Sequence, residues 1–266
     1  MIGPYELNSI YCGECSALMA KLPDDCIDLT VTSPPYDNLR DYEGYTFDFE
    51  PIAQQLYRVT KPGGVVVWVV GDATINGSET GTSFRQALYF MEIGFNMETM
   101  IWNKGGFSYV GAIHIRYPQV FEYMFVFTKS IPNTFNPIID RRNKNTSGKF
   151  SKRKRMPSGL IKDPGYCGNR REYGYRYNLW EISPEVQSGD NCHPAPFPEA
   201  LARDHILSWS NPGDLGFDPM CGSGTTCKMA KQTGRHWLGF DMSEKYCELA
   251  RKRVRFAQPP LFVEHV

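Results

Sequence analysis

Short apolar strands that alternate with helical segments are the feature of this 266-residue sequence that most constrains its fold. The β-branched segment 27–32 precedes the amphipathic segment 49–59, and the apolar segment 65–70 follows after Pro62-Gly63-Gly64. The same alternation returns over residues 199–255, where the spacing predicts helices at 199–209 and 225–232. Because parallel strands need long crossover connections, which helices usually supply, this order predicts an α/β fold with a mostly parallel twisted sheet and helices on both faces.

The distribution of charge divides the chain into three parts. Lys and Arg together number 29, and so do Asp and Glu, and a formal net charge of zero argues on its own against a nucleic-acid partner. Residues 131–178, however, hold 12 basic and 3 acidic residues, so this segment carries +9 and the other 218 residues carry −9. Since the segment also lacks sustained apolar periodicity, we interpret it as a basic insert between residues 1–130 and 179–266, the two halves of one domain.

Cysteine usage and hydropathy indicate the compartment. The eight cysteines are scattered through a chain long enough to need no disulfide framework, which is typical of reduced thiols. Cys12-Gly-Glu-Cys15 is a single CxxC motif without a second pair of ligands, so we expect no metal site. The longest apolar run, 63–71, is too short to span a membrane, and the N-terminus lacks a signal-peptide pattern. We therefore expect a cytoplasmic protein without a membrane partner.

A glycine-containing turn between a strand and a helix is the first candidate site. In Phe217-Asp218-Pro219-Met220-Cys221-Gly222-Ser223-Gly224-Thr225-Thr226 the glycines permit close approach of a ligand, and the N–H groups of the following helix attract an anion. Asp241 ends the next strand, where dinucleotide folds place the carboxylate that binds ribose hydroxyls. Cys227 occupies the third glycine position of GxGxxG, so a ribose-bearing cofactor fits better than NAD.

The second candidate site, Thr32-Ser33-Pro34-Pro35-Tyr36, lies at the end of the buried segment 27–32. Ligands of open α/β sheets bind beyond the carboxyl ends of strands, so this position favours a binding site over a simple polyproline turn. The motif offers a hydroxyl, a rigid backbone carbonyl and an aromatic face within four residues. Together these groups suit a planar molecule that carries an amino group.

The two motifs together resemble those of the S-adenosylmethionine-dependent DNA amino-methyltransferases. Ser-Pro-Pro-Tyr at 33–36 precedes Asp-Pro-x-x-Gly-Ser-Gly-Thr-Thr at 218–226, and this circularly permuted order resembles the β group of that family. Segments 59–73, 94–104 and 193–199 are also similar to family segments, so the resemblance covers nearly the whole chain apart from the insert. It implies a Rossmann-like methyltransferase fold, S-adenosylmethionine as cofactor, and a protein of a prokaryotic or phage-infected cell.

The resemblance also assigns roles to individual residues. Thr225 or Thr226 would lie near the carboxylate of the cofactor, and Asp241 would bind its ribose. Ser33 and the Pro34 carbonyl would accept hydrogen bonds from the target amino group. The full catalytic set is Ser33, Pro34, Pro35 and Tyr36, of which Tyr36 would stack on the base. The full cofactor-binding set is Thr32, Phe197, Asp218, Pro219, Cys221, Gly222, Ser223, Gly224, Thr225 and Asp241.

Double-stranded DNA is the partner that this resemblance implies. A base inside a duplex cannot reach such a pocket, so the target nucleotide would be rotated out of the stack. The insert lies where the family carries its target-recognition region, and its charge favours DNA contact over a solvated surface loop. The expected contacts are Lys152, Arg153, Lys154 and Arg155 to phosphates, and Arg170, Arg171 and Arg176 to guanine. A cognate restriction endonuclease is a further expected partner, and a dimer is one alternative for the oligomeric state.

Ser33 favours cytosine N4 as the methylated atom. Within the family, Ser is commoner at the first tetrapeptide position in cytosine-N4 enzymes, and Asp is commoner in adenine-N6 enzymes. We therefore expect a site-specific cytosine-N4 DNA methyltransferase. Two alternatives stay open: an adenine-N6 enzyme on the same scaffold, and a DNA-binding protein that keeps the scaffold without turnover.

Overall fold

The computed structural model describes residues 1–35, 47–106, 117–144, 149–151, 154–162, 166–169, 171–184 and 197–258. Within this part of the chain the strands are β1 (Ser9–Cys12), β2 (Ile27–Thr32), β3 (Thr60–Val70), β4 (Thr74–Ile75), β5 (Ser78–Glu79), β6 (Asn96–Asn103), β7 (Phe121–Thr128), β8 (Arg141–Arg142), β9 (Lys149–Ser151), β10 (Lys154–Arg155), β11 (Ile161–Lys162), β12 (Tyr166–Asn169), β13 (Tyr173–Gly174), β14 (Leu179–Glu181), β15 (Leu215–Asp218) and β16 (His236–Asp241). The helices are α1 (Cys15–Met19), α2 (Phe49–Val59), α3 (Thr82–Glu92), α4 (Glu199–Trp209), α5 (Thr225–Gln232) and α6 (Glu244–Phe256).

Two compact units are present, one formed by Met1–Asn136 with Asn178–Val266 and the other by Pro137–Tyr177. In the first unit, eight strands form one sheet in the order β1-β16-β15-β2-β3-β7-β6-β14. Of these strands only β7 runs antiparallel to its neighbours, β3 and β6. The prediction of a mostly parallel sheet is therefore confirmed, and the parallel strands end along one common edge.

Strand β3 shows how the sheet is covered on both faces. Its alternate residues Val66, Trp68 and Val70 belong to one buried cluster with Leu56 of α2 and Phe90 of α3. The intervening valines are also buried but lie outside that cluster. Because successive side chains of a strand point to opposite faces, these valines pack on the other side of the sheet. The continuous apolar run in the sequence is thus the signature of a strand buried on both faces.

Strand β3 begins earlier than the sequence predicts. Pro62-Gly63-Gly64 is expected to separate helix and strand, but the strand starts at Thr60 and contains these residues. Its pairing with β2 shifts register here, since Ile27 pairs with Thr60 and Leu29 with Val65. Gly63 has a φ of +78°, and a Cβ on it would lie 2.3 Å from the side chain of Asn133. The three residues therefore form an irregularity within the strand, which only glycine accommodates at position 63.

The second unit contains only short antiparallel pairs among its described residues. Strands β8 and β13, β9 and β12, and β10 and β11 form three separate two-stranded ladders. The bounds of this unit, Pro137–Tyr177, fall inside those of the predicted insert, 131–178. All 12 basic residues of the insert lie between these bounds, so the unit carries the same net charge of +9. No helix in the described part of the chain is long and apolar enough to cross a membrane.

Candidate active site

The candidate residues of the first unit converge because three neighbouring parallel strands end at the same edge of the sheet. Strand β15 lies between β2 and β16, and all three run in the same direction. Thr32 ends β2, Asp218 ends β15 and Asp241 ends β16. The topology therefore brings together residues that are separated by up to 209 positions in the chain, as the crevice beyond an open α/β sheet requires.

A buried hydrogen bond joins the tetrapeptide motif to the glycine-containing turn. The Thr32 hydroxyl donates to Oδ1 of Asp218 over 2.7 Å, and the Met220 N–H donates to the same oxygen over 3.1 Å. Asp218 is only 3% exposed, and its burial raises its pKa to about 6, against the opposing effect of these hydrogen bonds. In this conformation Asp218 acts by holding the turn against β2, since its carboxyl faces protein groups.

A second contact strengthens the same junction. The Thr226 hydroxyl of α5 donates to the carbonyl of Val31 over 2.9 Å, one residue before the end of β2. Thr226 is buried, so its hydroxyl is hydrogen-bonded within the protein. The family resemblance predicts that Thr225 or Thr226 lies near the cofactor carboxylate. In the structure Thr226 connects α5 to the sheet, and Thr225 is the first residue of α5.

The turn itself is shaped by glycine. The N–H of Cys221 donates to the carbonyl of Phe240 over 2.8 Å, and the N–H of Gly224 donates to the carbonyl of Cys221 over 2.7 Å. Gly224 has a φ of +78°, and a Cβ on it would lie 2.8 Å from the Cβ of Ala250 on α6. Both the backbone conformation and the close approach of α6 therefore require glycine. The result is a tight turn that leads directly into the N-terminus of α5.

Asp241 is held by backbone donors on both of its carboxylate oxygens. The Gly222 N–H donates to Oδ2 over 2.8 Å, and the Ser243 N–H donates to Oδ1 over 2.9 Å. The residue is half-buried at the end of β16. These two backbone donors fix the orientation of the Asp241 carboxylate at the end of β16.

The tetrapeptide continues directly from β2. Pro34 is buried, and Ser33 and Pro35 are half-buried. The strand ends at Thr32, as expected from two successive residues without an N–H. Ser33 therefore stands one residue beyond the Thr32–Asp218 hydrogen bond. Tyr36, named for stacking on the base, lies outside the described residues.

Arg253 of α6 is a contributor that sequence reasoning missed. Its guanidinium donates to the carbonyl of Ser223 over 2.7 Å and also to the hydroxyls of Ser223 and Thr225. It donates further to Glu199 over 3.0 Å, and Lys228 of α5 binds the same carboxylate oxygen. In the sequence Arg253 is only a basic residue in the last turn of a helix, a position that the helix macrodipole favours for any basic side chain.

Pro219 and Phe197 are the remaining predicted cofactor residues, and Pro219 is buried in the turn that follows β15. Phe197 stands elsewhere in the chain. It is half-buried and lies two residues before the first residue of α4. That first residue is Glu199, the carboxylate shared by Lys228 and Arg253. The start of α4 is thus attached to the same network that holds the turn.

In the second unit, three exposed tyrosines lie at alternate positions of one segment, next to a basic residue of β8. Tyr173, Tyr175 and Tyr177 are 44%, 54% and 64% exposed. The Arg141 guanidinium lies 4.3 Å from the ring centroid of Tyr177 and donates to the Tyr175 carbonyl over 2.8 Å. Sequence reasoning did not single out these four residues, although the Tyr-x-Tyr-x-Tyr spacing places the tyrosines on one face of an extended segment.

The predicted DNA contacts fall into three groups. Lys154 and Arg155 form β10, and Arg171 is exposed. Arg176 is already engaged, because its guanidinium forms a salt bridge with Asp140. Lys152, Arg153 and Arg170 lie outside the described residues.

Comparison with known proteins decides the family. A family model described as DNA methylase (N6_N4_Mtase) matches residues 27–252, which includes both candidate motifs. The chain belongs to this DNA methylase family. The predicted family is thereby confirmed, and this DNA methylase is an enzyme that methylates DNA.

Individual relatives are similar over most of the chain. The orphan methyltransferase M.BamHII from Bacillus amyloliquefaciens is 52% identical to this DNA methylase over 244 residues, which cover 87% of this chain and 90% of the relative. The PvuII DNA methyltransferase (cytosine-N4-specific) superimposes with a TM-score of 0.67 at 22% identity, covering 96% of this chain and 88% of that one. The M1.HpyAVI–SAM complex gives a TM-score of 0.60 at 21% identity, with 93% and 99% coverage. These superpositions confirm the predicted methyltransferase fold.

Proposed function

We propose that this DNA methylase transfers a methyl group from S-adenosylmethionine to the exocyclic N4 amino group of cytosine in double-stranded DNA. The observation that carries the proposal is the buried hydrogen bond between Thr32 and Asp218. It fixes Ser33, the acceptor for the target amine, beside the glycine turn, which would hold the methyl donor. A methyl donor and an acceptor amine must be adjacent for a direct displacement.

The residues of the turn fit S-adenosylmethionine. The N-terminus of α5, which follows directly on the glycine turn, favours a carboxylate such as that of the methionine end. Asp241, whose carboxylate is oriented by the Gly222 and Ser243 N–H groups, would accept hydrogen bonds from the two ribose hydroxyls. When bound, the cofactor supplies an electrophilic methyl group on a sulfonium.

The remaining chemistry belongs to the residues that follow β2. The lone pair of a cytosine amine is delocalised into the ring, which makes the amine a poor nucleophile. Hydrogen bonds accepted from its two N–H groups by the Ser33 hydroxyl and the Pro34 carbonyl favour a pyramidal nitrogen and free that lone pair. Rate acceleration then comes from positioning and electrostatics. The amine becomes cationic on methylation and is then a strong acid, so it releases its extra proton to solvent and a strong general base is not required.

Cytosine is favoured over adenine by the serine at position 33. The cytosine-N4-specific PvuII enzyme, which shares the fold, is consistent with this choice. The methylated base is rotated out of the duplex, at an energetic cost of a few kcal/mol, which DNA contacts help to offset. We propose that the second unit, Pro137–Tyr177, which we call the basic unit, supplies these contacts. The contacting residues would be Lys152, Arg153, Lys154, Arg155, Arg170 and Arg171, together with Arg141 and Tyr177. Arg176 is omitted because it forms a salt bridge with Asp140.

The test is to treat unmethylated genomic DNA with the full-length protein and S-adenosylmethionine, digest it to nucleosides and identify the products by mass spectrometry. We expect N4-methylcytosine from the wild type, and at least 10²-fold slower formation of it by the Ser33→Ala variant. N6-methyladenine would overturn the base assignment, and the absence of any methylated nucleoside would favour a DNA-binding protein without turnover.

A further inference from the structure

Two cysteines and a glutamate from distant parts of the chain meet at the edge of the sheet. Cys12 ends β1, and Glu244 and Cys247 lie in the first turns of α6. The two sulfur atoms and a carboxylate oxygen all lie within 4.8 Å of one another. The cluster is outside the proposed chemistry, because none of the three side chains belongs to the turn or to the tetrapeptide.

The cluster is assembled by regular secondary structure. Cys12 pairs in register with Asp241 of β16, and the Cys247 sulfur lies 3.6 Å from the Asp241 carbonyl oxygen. Arg251 donates to Glu244 and, over 3.2 and 2.9 Å, to the Ile10 carbonyl of β1, so it fixes the glutamate relative to that strand. Such outer contacts orient metal-binding side chains in known sites. Cys12 and Glu244 are exposed, which leaves an entry path from solvent.

The CxxC motif is not the origin of this cluster. Cys15 is buried, and its thiol lies 3.7 Å from a carboxylate oxygen of Glu14. The partner of Cys12 is instead Cys247, 235 positions away in the chain. The expectation of no metal site rested on the absence of a second pair of ligands for the CxxC motif, and this cluster does not use that motif as a pair.

We propose that Cys12, Glu244 and Cys247 bind a thiophilic divalent cation of the Zn²⁺ type, with water as the fourth ligand. Zn²⁺ takes thiolate and carboxylate ligands in tetrahedral geometry, with Zn–S distances of about 2.3 Å, so its two sulfurs lie roughly 3.8 Å apart. The separations in the cluster reach this geometry with side-chain shifts below about 1 Å. Each thiol releases its proton to solvent as a metal–sulfur bond forms, and no electron is transferred.

The test is a Cd²⁺ titration of the full-length protein, first treated with chelator and kept under a phosphine reductant. Cd²⁺ is the probe because thiolate coordination gives it an ultraviolet charge-transfer band. We expect one equivalent to bind, with the band intensity of two thiolates, and Zn²⁺ to displace it. Cys12→Ser should lower the affinity at least tenfold and halve the band, while circular dichroism confirms folding. Because Cys12 is exposed, this variant is the decisive one, and Glu244→Gln should weaken binding less.

Two control variants make the result specific. Cys26→Ser, at a half-buried cysteine outside the cluster, and Cys15→Ala, within the CxxC motif, should both retain wild-type Cd²⁺ binding. Equal loss of binding with Cys15→Ala and Cys12→Ser would overturn the proposal. So would wild-type protein that shows no stoichiometric band, or that forms a Cys12–Cys247 disulfide without reductant yet binds no Cd²⁺ when reduced.

Discussion

The first unit, which contains the parallel sheet, and the basic unit differ in how far their polar side chains are buried. In the first, Asp218 is 3% exposed and Thr32 is fully buried, and the two are joined by a hydrogen bond. In the second, Tyr175 is 54% exposed, and the described ladders have strands of two to four residues. The first unit can therefore keep groups in a fixed geometry, which catalysis by positioning requires. The second offers charge and aromatic faces to solvent, which suits binding to a polyanion.

Charge follows the same division. The basic unit carries +9, and the rest of the chain carries −9. If each unit does what its side chains suit it for, substitutions in the first should change chemistry and stability, and substitutions in the second should change DNA affinity and its salt dependence.

The largest expected effect is that of Ser33→Ala on methyl transfer. Removing one preorganised hydrogen-bonding group from a transition state lowers rates by roughly 10²–10³-fold. We expect a loss of at least this size in single-turnover rate, with S-adenosylmethionine affinity within about threefold of wild type by calorimetry. Ser78→Ala, in the exposed hairpin of β4 and β5, is the matched control and should leave both quantities unchanged. A Ser33→Ala variant with near-normal turnover would remove Ser33 from the chemistry.

The second effect concerns the buried carboxyl of Asp218. Burial raises its pKa from 3.8 to about 6, so the native state binds this proton more tightly than the unfolded state does. Ionisation therefore lowers the free energy of unfolding as pH rises from about 4 to about 6, by roughly 3 kcal/mol for a shift of two units. Asp218→Asn retains an acceptor for Thr32 but has no charge to bury.

Urea unfolding of both proteins between pH 4 and pH 7 measures this contribution. The stability of the Asn variant relative to wild type should rise from about pH 4 to about pH 6 and then level off. A difference between the two proteins that is independent of pH would show that Asp218 is not held in the low-dielectric setting that distinguishes the first unit.

The third effect should appear only in binding. Replacing Lys152, Arg153, Lys154 and Arg155 with Ala should reduce the slope of log K against log salt by up to about 4 and weaken binding by roughly one to two orders of magnitude. A control that removes four exposed cations of the first unit, Lys21, Lys245, Lys252 and Arg255, should leave the slope close to wild type. Fluorescence anisotropy with a labelled duplex over a salt series measures both. Equal slopes for the two variants would break the proposed division of charge.

The smallest effect separates two glycines of the first unit. Gly224 and Gly213 both have positive φ, +78° and +89°, but a Cβ on Gly224 would meet Ala250, whereas one on Gly213 would meet nothing within 4 Å. Both alanine variants should lose stability through backbone strain of about 1–3 kcal/mol. Gly224→Ala should lose about 1 kcal/mol more through overpacking. Chemical denaturation gives the comparison, and identical losses would mean that α6 does not pack tightly on the turn.

The sequence predicts the first unit well because its periodicity reports burial. Helices 49–59, 199–209 and 225–232 have the predicted bounds, since apolar spacing and flanking Gly or Pro mark them directly. The start of β3 is missed because Pro62-Gly63-Gly64 is a strong breaker signal, whereas in the fold these residues form hydrogen bonds with Lys129 and Asn133.

The parts of the site that sequence does not predict depend on contacts between distant residues. Arg253 reaches the turn from α6 across 30 positions, and Cys12 meets Cys247 across the sheet edge. In the basic unit, the salt bridge of Arg176 with Asp140 and the stacking of Arg141 on Tyr177 depend on pairing of short strands that carry no periodic signal. Local pattern identifies which segments are apolar or charged, but it does not give the partner of an individual side chain.

The division between chemistry and DNA binding is tested most directly by single-turnover methyl transfer at saturating DNA. The measurement compares wild type, Ser33→Ala and the variant with alanine at positions 152–155. At saturation, loss of affinity no longer limits the rate. We expect the 152–155 variant to recover a rate close to wild type while Ser33→Ala stays at least 10²-fold slower. A 152–155 variant that remains as slow as Ser33→Ala at every DNA concentration would show that the two functions are not divided between the units.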